Sequence, residues 1–551
     1  MGLRASKVLV LGGGAGVAAY VWPNPRMDQQ ESFRWDQDGF NHGPFAFELD
    51  PCDKYDFAGT GRSNAADWIR TAYHDMATYN VADGTGGMDS SIRFKEEQSR
   101  AENVGDSFSN TLRVLDRDAS SYVSIADILA LALIISMENC GGPEIDYRAG
   151  RVDAMEPNVA GVPEPQNDLD SHIASFARQG FTQEEMIGLV ACGHSFGGVQ
   201  HDAFPDIVPD LGDPNNTHSN AAFDSTFVHF DNNMYVEFMD GTTANPLVVG
   251  TNDTTNSDKR IFSSDGNVTM RAFAESPTLF ASTCASLFAR MIDTVPRGVQ
   301  LTEVIKPLPV KPHAFMTTYI GNGQLTLEGD IRLWNLTENL NRTVRIVWLN
   351  SDGSTSDDNA VELLHSENQV GSALGGRITS MWYSLHNATS SQSFLTLDAA
   401  KSNSISKFSV LIDEGNGSGP RVEDQGGIGF RIEDTLMWSS SSCAPTFGTG
   451  RLDIAVRKGT SPSRVWVEVD AFSFDLGNVP IEPNAYNASL VEPQAGDDEP
   501  YEIWRVDING EVDLFVDYGI YAEVNGVRIM AVGVRNGGDL DSCTDAPESP
   551  F

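Results

Sequence analysis

The sequence predicts a chain of two unlike halves, a mainly α-helical half followed by an all-β half built as a β-sandwich. Long apolar segments with capping residues fill roughly the first 300 positions, whereas apolar and polar residues alternate in the rest. The proline-rich segment VIKPLPVKP (304–312) separates the two patterns, and 551 residues are too many for one ordinary core. We therefore expect one domain at 20–310 and another at 311–551.

Two segments of the first half predict helices with defined ends. IADILALALIISM (125–137) is strongly apolar and follows Ser124, a good N-cap residue. TQEEMIGLVACGHSFGG (182–198) opens with a capping box and closes on paired glycines, which end helices. A third helix is expected at 276–292.

The second half predicts strands. Its segments alternate apolar and polar residues between turns rich in Gly, Asn, Asp and Ser, as in a two-sided antiparallel sheet. They read QLTLEGDIRLW, RTVRIVWLN, FSVLIDE, RVWVEVDAFSFD, YEIWRVDI and VDLFVDYGIYAEV.

The N-terminus and the composition predict an exported protein. Residues 1–19 place basic residues before an apolar run that is short for a membrane span, as in a signal peptide cleaved after Ala19, so we expect no stable membrane span. A net charge of -40 makes nucleic acid an unfavourable partner. Glycosylation sequons spread along the chain favour a secreted, extracellular glycoprotein. They begin at Asn215, Asn252, Asn267, Asn335, Asn341, Asn387, Asn416 and Asn487.

Two histidines of the helical half have unusual neighbours. In RTAYHD, Arg70 and His74 are four residues apart and share a helix face, whereas Asp75 points elsewhere. His194 lies near the end of the 182–198 helix. Either histidine alone would be an ordinary buried polar residue.

The order of the short motifs resembles the haem peroxidase superfamily of plants, fungi and bacteria, most closely its secreted fungal class. The resemblance covers about residues 45–310 and leaves the β half as an extra domain. It rests on RTAYHD, GGMDSSI (86–92), ENVG (102–105), NCGGP (139–143), AGR (149–151), PEP (163–165), GHS (193–195), FDSTFVHFD (223–231) and SD (257–258).

The resemblance implies haem b, with His194 as axial ligand of the iron and Asp258 accepting its other ring N–H. Phe223 then lies beneath the haem, where a tryptophan would allow a radical. On the opposite side His74 is implied as general base and then general acid, oriented by Asn103. Arg70 stabilises negative charge as the O–O bond breaks, and Tyr73 stands where the family usually has Phe or Trp.

The resemblance also implies two Ca²⁺ sites, one behind each histidine. Asp75, Gly87, Asp89 and Ser91 would form the distal site, since carboxylate, carbonyl and hydroxyl oxygens suit calcium. The proximal site is implied at Ser195, Asp224, Thr226, His229 and Asp231.

The expected reaction is the reduction of H₂O₂ with one-electron oxidation of small phenolic or aromatic donors, through an oxoferryl intermediate. The manganese-binding positions of related enzymes read Ser63, Asp67 and Gln200, which is a poor cation site, and Leu189 stands where a surface tryptophan would. An alternative is a binding or adhesion glycoprotein on a peroxidase-like scaffold. A third option, a haem sensor, would not need Arg70. The β half is a candidate for carbohydrate or cell-wall contact, for covering the substrate entrance or for dimerisation.

Six cysteines allow fifteen pairings. The resemblance favours Cys52–Cys140, and Cys443–Cys543 would cross-link the β half. Cys192 and Cys284 are left either paired or as buried thiols.

Overall fold

The computed structural model shows a helical half and a β half joined through an extensive interface. It describes residues 20–350, 353–356, 359–385, 394–398, 405–432, 434–443, 450–473, 475, 477, 479–491, 499–508, 517–531, 533 and 535–536. The expected signal peptide, the sequon at Asn387 and Cys543 lie outside the described residues. In the part of the chain that is described, no helix is long and apolar enough to cross a membrane.

The helical half packs around one buried helix. Its helices are α1 Pro25–Trp35, α2 Pro44–Phe47, α3 Asn64–Met76, α4 Lys95–Gln98, α5 Ser107–Leu115, α6 Ile125–Asn139, α7 Leu169–Arg178, α8 Gln183–His194, α9 Asn233–Asp240, α10 Pro246–Val249, α11 Ser257–Phe262, α12 Val268–Glu275 and α13 Pro277–Ile292. The apolar residues of α6 are completely buried, and α3 packs against it. The helical prediction is therefore confirmed.

The predicted caps are present, with one shift in a boundary. The Ser124 side chain accepts the amide of Asp127, and Thr182 and Glu185 form the capping box of α8. The latter helix ends at His194 rather than at the paired glycines. Gly197 adopts a left-handed φ of 76°, and Gly198 begins a short strand. His194 therefore occupies the last turn of α8.

The second half is all-β, as predicted. Two short strands lie in the helical half and one contributes to the β half from the N-terminal segment. The strands are β1 Asp38–Gly39, β2 Gly198–Gln200, β3 Asn220–Ala222, β4 Val310–Gly321, β5 Gln324–Trp334, β6 Thr343–Asn350, β7 Ala360–Leu363, β8 Val370–Ala373, β9 Ile378–Ser384, β10 Phe394–Asp398, β11 Ile405–Asp413, β12 Arg421–Glu423, β13 Phe430–Arg431, β14 Leu436–Ser439, β15 Gly450–Arg457, β16 Arg464–Ser473, β17 Val479–Asn487, β18 Ser489–Leu490, β19 Tyr501–Ile508, β20 Asp517–Val524, β21 Val527–Met530 and β22 Arg535–Asn536.

One long sheet organises the β half. Its strand order is β1-β8-β9-β5-β4-β14-β15-β19-β18, with β10 paired to β5. Two smaller sheets, β12-β11-β6-β7 and β17-β16-β20-β21, share apolar cores with its two ends, one core around Leu327 and Ile346 and the other around Ile454 and Val467. The β half therefore holds two sandwich cores along one sheet. Strand alternation predicts two-sided sheets but not which sheets stack.

The N-terminal segment fastens the two halves together. Glu31 and Asp36 are buried and form ion pairs with Lys311 and Arg332 of β4 and β5, with 2.6 Å between Arg332 Nη1 and Asp36 Oδ1. Preceding α1, Trp22 lies in the β core, and β1 pairs antiparallel with β8. Residues 20–39 therefore contact the β half as well as the helical half.

Candidate active site

His74 and His194 line one cavity between α3 and α8. The cavity has a volume of about 870 Å³, and Arg70, Tyr73 and Phe223 also line it. Ser63 and Gln200 also belong to its lining. The two histidines that the sequence analysis singled out therefore belong to one site.

Asn103 fixes the orientation of His74. The Asn103 side-chain amide donates to the carbonyl of Glu97 at 2.8 Å, so its oxygen points towards His74. That oxygen lies 2.7 Å from His74 Nδ1, which therefore carries the proton. The other ring nitrogen of this buried side chain, Nε2, is therefore unprotonated and can accept a proton.

The surroundings of His74 hold its ring neutral. Burial, and then the positive charge of Arg70, lower the pKa of His74 well below its usual value. An imidazole with a lowered pKa is not already protonated by the solvent, so it can accept a proton from a substrate. The distal histidine can thus act as a base over a wide pH range.

Arg70 is anchored rather than free. Its guanidinium donates to the carbonyl of Val104 at 2.8 Å and to the Ser107 hydroxyl. It also stacks on Phe108, with 4.5 Å between Cζ and the ring centroid. Burial lowers the pKa of Arg70 to about 10, which leaves the side chain charged at neutral pH. Ser107 and Phe108, the first two residues of α5, were not predicted as partners of Arg70, because they lie 37 and 38 positions further along the chain.

Tyr73 packs on an aromatic side chain of α7. Its ring stacks on Phe176 with 6.0 Å between centroids, and both rings line the cavity. Phe108 packs on His74 from the other side at 4.9 Å. These rings form an apolar wall around the distal histidine.

Asp258 orients His194 from beneath the cavity. Their atoms Oδ2 and Nδ1 are 2.9 Å apart, and Asp258 is 1% exposed. The Asn245 amide donates to the same carboxylate oxygen at 2.8 Å, a contact that the sequence analysis did not predict. Phe223 lies parallel to the His194 ring at 4.3 Å. The imidazole therefore presents Nε2 in a fixed direction.

A disulfide holds α8 in place just before His194. Cys192 and Cys284 are bonded, which resolves the alternative that the sequence left open. Cys52 and Cys140 are bonded as the resemblance implies. The Cys443–Cys543 pairing cannot be placed because Cys543 lies outside the described residues.

The site fits a haem group. Asn103 and Asp258 occupy the Nδ1 atoms of the two histidines, which leaves Nε2 of His74 and Nε2 of His194 for the cavity. Apolar side chains also line this cavity. Its volume lies within the range of cofactor pockets. His194 would hold the iron, since neutral imidazole with a carboxylate on its other nitrogen is a strong axial ligand.

The proximal oxygen set behind His194 fits a cation. The Asp224 side chain is 4% exposed, and its Oδ2 has no hydrogen-bond partner among the described residues. Burial and the nearby Asp231 and Glu237 raise the pKa of Asp224 to about 7. Thr226 contacts Asp231 at 3.1 Å, and the loop is tied to Gly197 by two backbone hydrogen bonds. The described residues contain no metal-binding cluster of three or more His, Cys, Asp or Glu, but two carboxylates with hydroxyls and a carbonyl suffice for calcium.

Oxygen atoms of the distal set behind His74, where the second calcium site is predicted, accept hydrogen bonds from the protein itself. Both Asp75 oxygens already accept backbone amides, from Asp89, Ser90 and Ile92 at 2.8–3.1 Å. The side-chain amide of Asn158 donates to both carboxylate oxygens of Asp89 and to the Ser91 hydroxyl. Gly87 donates its N–H to Thr78 at 3.1 Å. The carboxylates of Asp75 and Asp89 and the Ser91 hydroxyl therefore already accept hydrogen bonds from protein donors.

Of the three positions that bind manganese in related enzymes, Asp67 takes part in an ion pair here. Arg62 donates to Asp67 at 2.8 Å and to Asp106 at 2.7 Å, and all three residues line the cavity. A carboxylate that is paired in this way has little capacity left for a metal ion. Leu189 lines the cavity, and its side chain has no polar group.

Comparison with known proteins agrees with this geometry. The protein-family model described as peroxidase matches residues 55–277. A WSC domain-containing protein of Arthroderma benhamiae is 38% identical over 320 residues, 58% of this chain and 44% of that protein. The peroxisomal L-ascorbate peroxidase 5 of Arabidopsis thaliana is 31% identical over 195 residues, 35% of this chain and 64% of that protein. The mitochondrial cytochrome c peroxidase of Cryptococcus neoformans is 30% identical over 125 residues, 22% of this chain and 33% of that protein. The chain thus spans less than two thirds of the length of each of these relatives.

Proposed function

The helical domain belongs to the haem peroxidase superfamily, and from this premise we propose that the chain is an enzyme that reduces H₂O₂ and oxidises small phenolic or aromatic donors. The observation that carries the proposal is the pair of histidines across one cavity, each with its own orienting partner. A protein that used this fold only as a scaffold would need neither hydrogen bond.

Bound haem would supply the electron transfer to peroxide, and the residues of the chain would handle protons and charge. His74 Nε2 would take a proton from one oxygen of the peroxide and return it to the departing oxygen. Asn103 keeps that nitrogen basic by accepting the proton of Nδ1. Arg70 would stabilise the charge on the departing oxygen, since it stays cationic in the cavity.

Asp258 would act through His194. Its carboxylate accepts the Nδ1 proton and so makes the imidazole a stronger electron donor to the iron. Asn245 donates to the same oxygen and keeps Asp258 in position. Asp258 and Asn245 would thus hold His194 ready to bind a haem group.

The reducing substrates would be small aromatic molecules oxidised at the open edge of the cavity. The ion pair between Arg62 and Asp67 weighs against a manganese ion at this position. Leu189 and Phe223 provide no tryptophan for long-range electron transfer. We further propose that the protein is secreted and glycosylated, and that the proximal set around Asp224 holds one Ca²⁺.

The second candidate is a binding or adhesion glycoprotein in which the β half does the work. Its support is the WSC domain-containing relative, whose match of 320 residues is longer than the peroxidase region. Retention of Arg70, His74 and Asn103 in hydrogen-bonding positions favours the enzyme.

The test is the absorption spectrum of the full chain loaded with haem, before and after one equivalent of H₂O₂. A Soret band that shifts on peroxide addition is expected. The His74→Ala variant should bind haem normally and react about 10²–10⁴-fold more slowly. A band that peroxide leaves unchanged, or an equally fast His74→Ala variant, would refute the proposal.

A further inference from the structure

A single nitrogen atom lies at the centre of the distal oxygen set. Asn158 Nδ2 is 2.8 and 3.0 Å from the two carboxylate oxygens of Asp89 and 2.9 Å from Ser91 Oγ. The Thr78 hydroxyl oxygen is 3.3 Å away. Four oxygen atoms from three side chains therefore surround one amide nitrogen, at hydrogen-bond distances rather than the shorter distances of calcium ligands.

The backbone of Asn158 is fixed at both of its polar groups. Its N–H donates to the carboxylate of Glu97, and its carbonyl accepts from Arg100 at 2.6 Å. Glu97 is fully buried. These two backbone hydrogen bonds, to Glu97 and from Arg100, hold the Asn158 side chain within the distal oxygen set.

The orientation of the amide follows from its neighbours. Turning it over would bring Oδ1 against both oxygens of the Asp89 carboxylate, with no hydrogen atom between them. Such a contact is repulsive unless a cation or a proton intervenes. The orientation with the NH₂ group towards Asp89 needs neither.

The guanidinium of Arg93 lies close to the carboxylates of this region. Arg93 donates to the carbonyl and hydroxyl of Ser90 at 2.9 and 2.7 Å, and Ser90 in turn donates to Asp153 at 2.8 Å. Asp153 accepts the first amides of α6. The permanently charged Arg93 guanidinium is thus linked to Asp153 through Ser90 and lies beside this carboxylate network.

We infer that the Asn158 amide takes the place of the distal cation, so that the loop behind His74 binds no calcium. The end of α3 is tied by hydrogen bonds to Asp75 and by the Asn158 amide. The chain then takes at most one calcium ion of the two that the resemblance implies, at the proximal set. The His74 side of the cavity would be insensitive to chelators.

The experiment measures calcium content by equilibrium dialysis of the haem-loaded full chain, together with its melting temperature in chelator and in millimolar CaCl₂. The Asp224→Asn variant removes a proximal carboxylate, so any calcium that it retains would be distal. We expect Asp224→Asn to retain none. The inference does not depend on peroxidase activity, and a wild-type chain without calcium would refute only the proximal proposal.

The converse variant is N158D in the D224N background. Its new carboxylate would face Asp89 without a donor, so we expect it to gain one calcium ion and to melt several degrees higher with calcium than with chelator. The matched control is N167D, because Asn167 accepts a backbone amide through Oδ1 and would still do so as aspartate. No gain is expected there.

Two results would overturn the inference. One is a calcium ion that D224N retains and that the further substitution D89N removes. The other is a double variant, N158A with D224N, whose melting temperature in chelator equals that of D224N alone. The Asn158 amide would then hold nothing in place. If N158D fails to fold, the calcium content of D224N alone still decides the question.

Discussion

Asp258→Asn should weaken haem binding while it leaves the fold intact. Asparagine has the shape of aspartate and keeps an oxygen that can accept from His194 Nδ1. What is lost is the negative charge of a carboxylate that is 1% exposed and 2.9 Å from that nitrogen. Iron held by His194 would then receive less electron density.

The size of the effect follows from the burial of this hydrogen bond. A bond to a charged group contributes about 1.5–3 kcal/mol, and roughly 1.4 kcal/mol corresponds to a tenfold change in an equilibrium constant. We therefore expect haem affinity to fall about 10–100-fold, the range typical of residues that orient histidine ligands. The reduction potential of the iron should rise.

The assay is a haem titration followed at the Soret band, with circular dichroism as the check on folding. Ser257→Ala is the control, because the Ser257 hydroxyl touches Asp258 only at 3.4 Å and its loss should change affinity by less than about twofold. Wild-type affinity and potential in Asp258→Asn would refute the role given to His194.

Three further predictions concern pH, the disulfide and the interface. Because burial and Arg70 lower the pKa of His74, the rate of reaction with peroxide should stay level on acidification past about pH 6 and fall only at lower pH. Arg70→Leu removes the positive charge that lowers the pKa of His74, so the rate measured by stopped flow should begin to fall at a higher pH in this variant than in the wild type. An unchanged pH profile would contradict this. Replacing Cys192 and Cys284 by alanine should lower the free energy of unfolding by about 2–4 kcal/mol in urea titrations, and an unchanged midpoint would mean that packing alone holds α8. Arg332→Ala should cost about 3–5 kcal/mol, because Glu31 and Asp36 remain buried without it; a loss below about 1 kcal/mol would contradict the reasoning.

The parts of the site that are local in sequence could be predicted from it. Arg70 and His74 share a face of α3 because they are four residues apart, and the caps of α6 and α8 lie where their residues indicate. The contacts of Asn103 and Asp258 with the two histidines join distant segments, and only the order of family motifs pointed to them.

Other contacts could not be predicted because they depend on how loops and sheets meet. Asn158 reaches Asp89 across 69 positions from an irregular segment with no periodic pattern. Asn245 supports Asp258 from the residue before a one-turn helix. The stacking of the sheets depends on packing between faces that all alternate in the same way.

The buried charges of Glu31 and Asp36 limit how the two halves of this chain can be separated or exchanged by recombination. A fusion or a truncation at the proline-rich segment would follow the visible change in sequence pattern, yet it would separate Glu31 and Asp36 from Lys311 and Arg332. It would also remove β1 from the edge of the long sheet and Trp22 from its core. The β half is therefore not a module that recombination can exchange freely, and the two halves must change together.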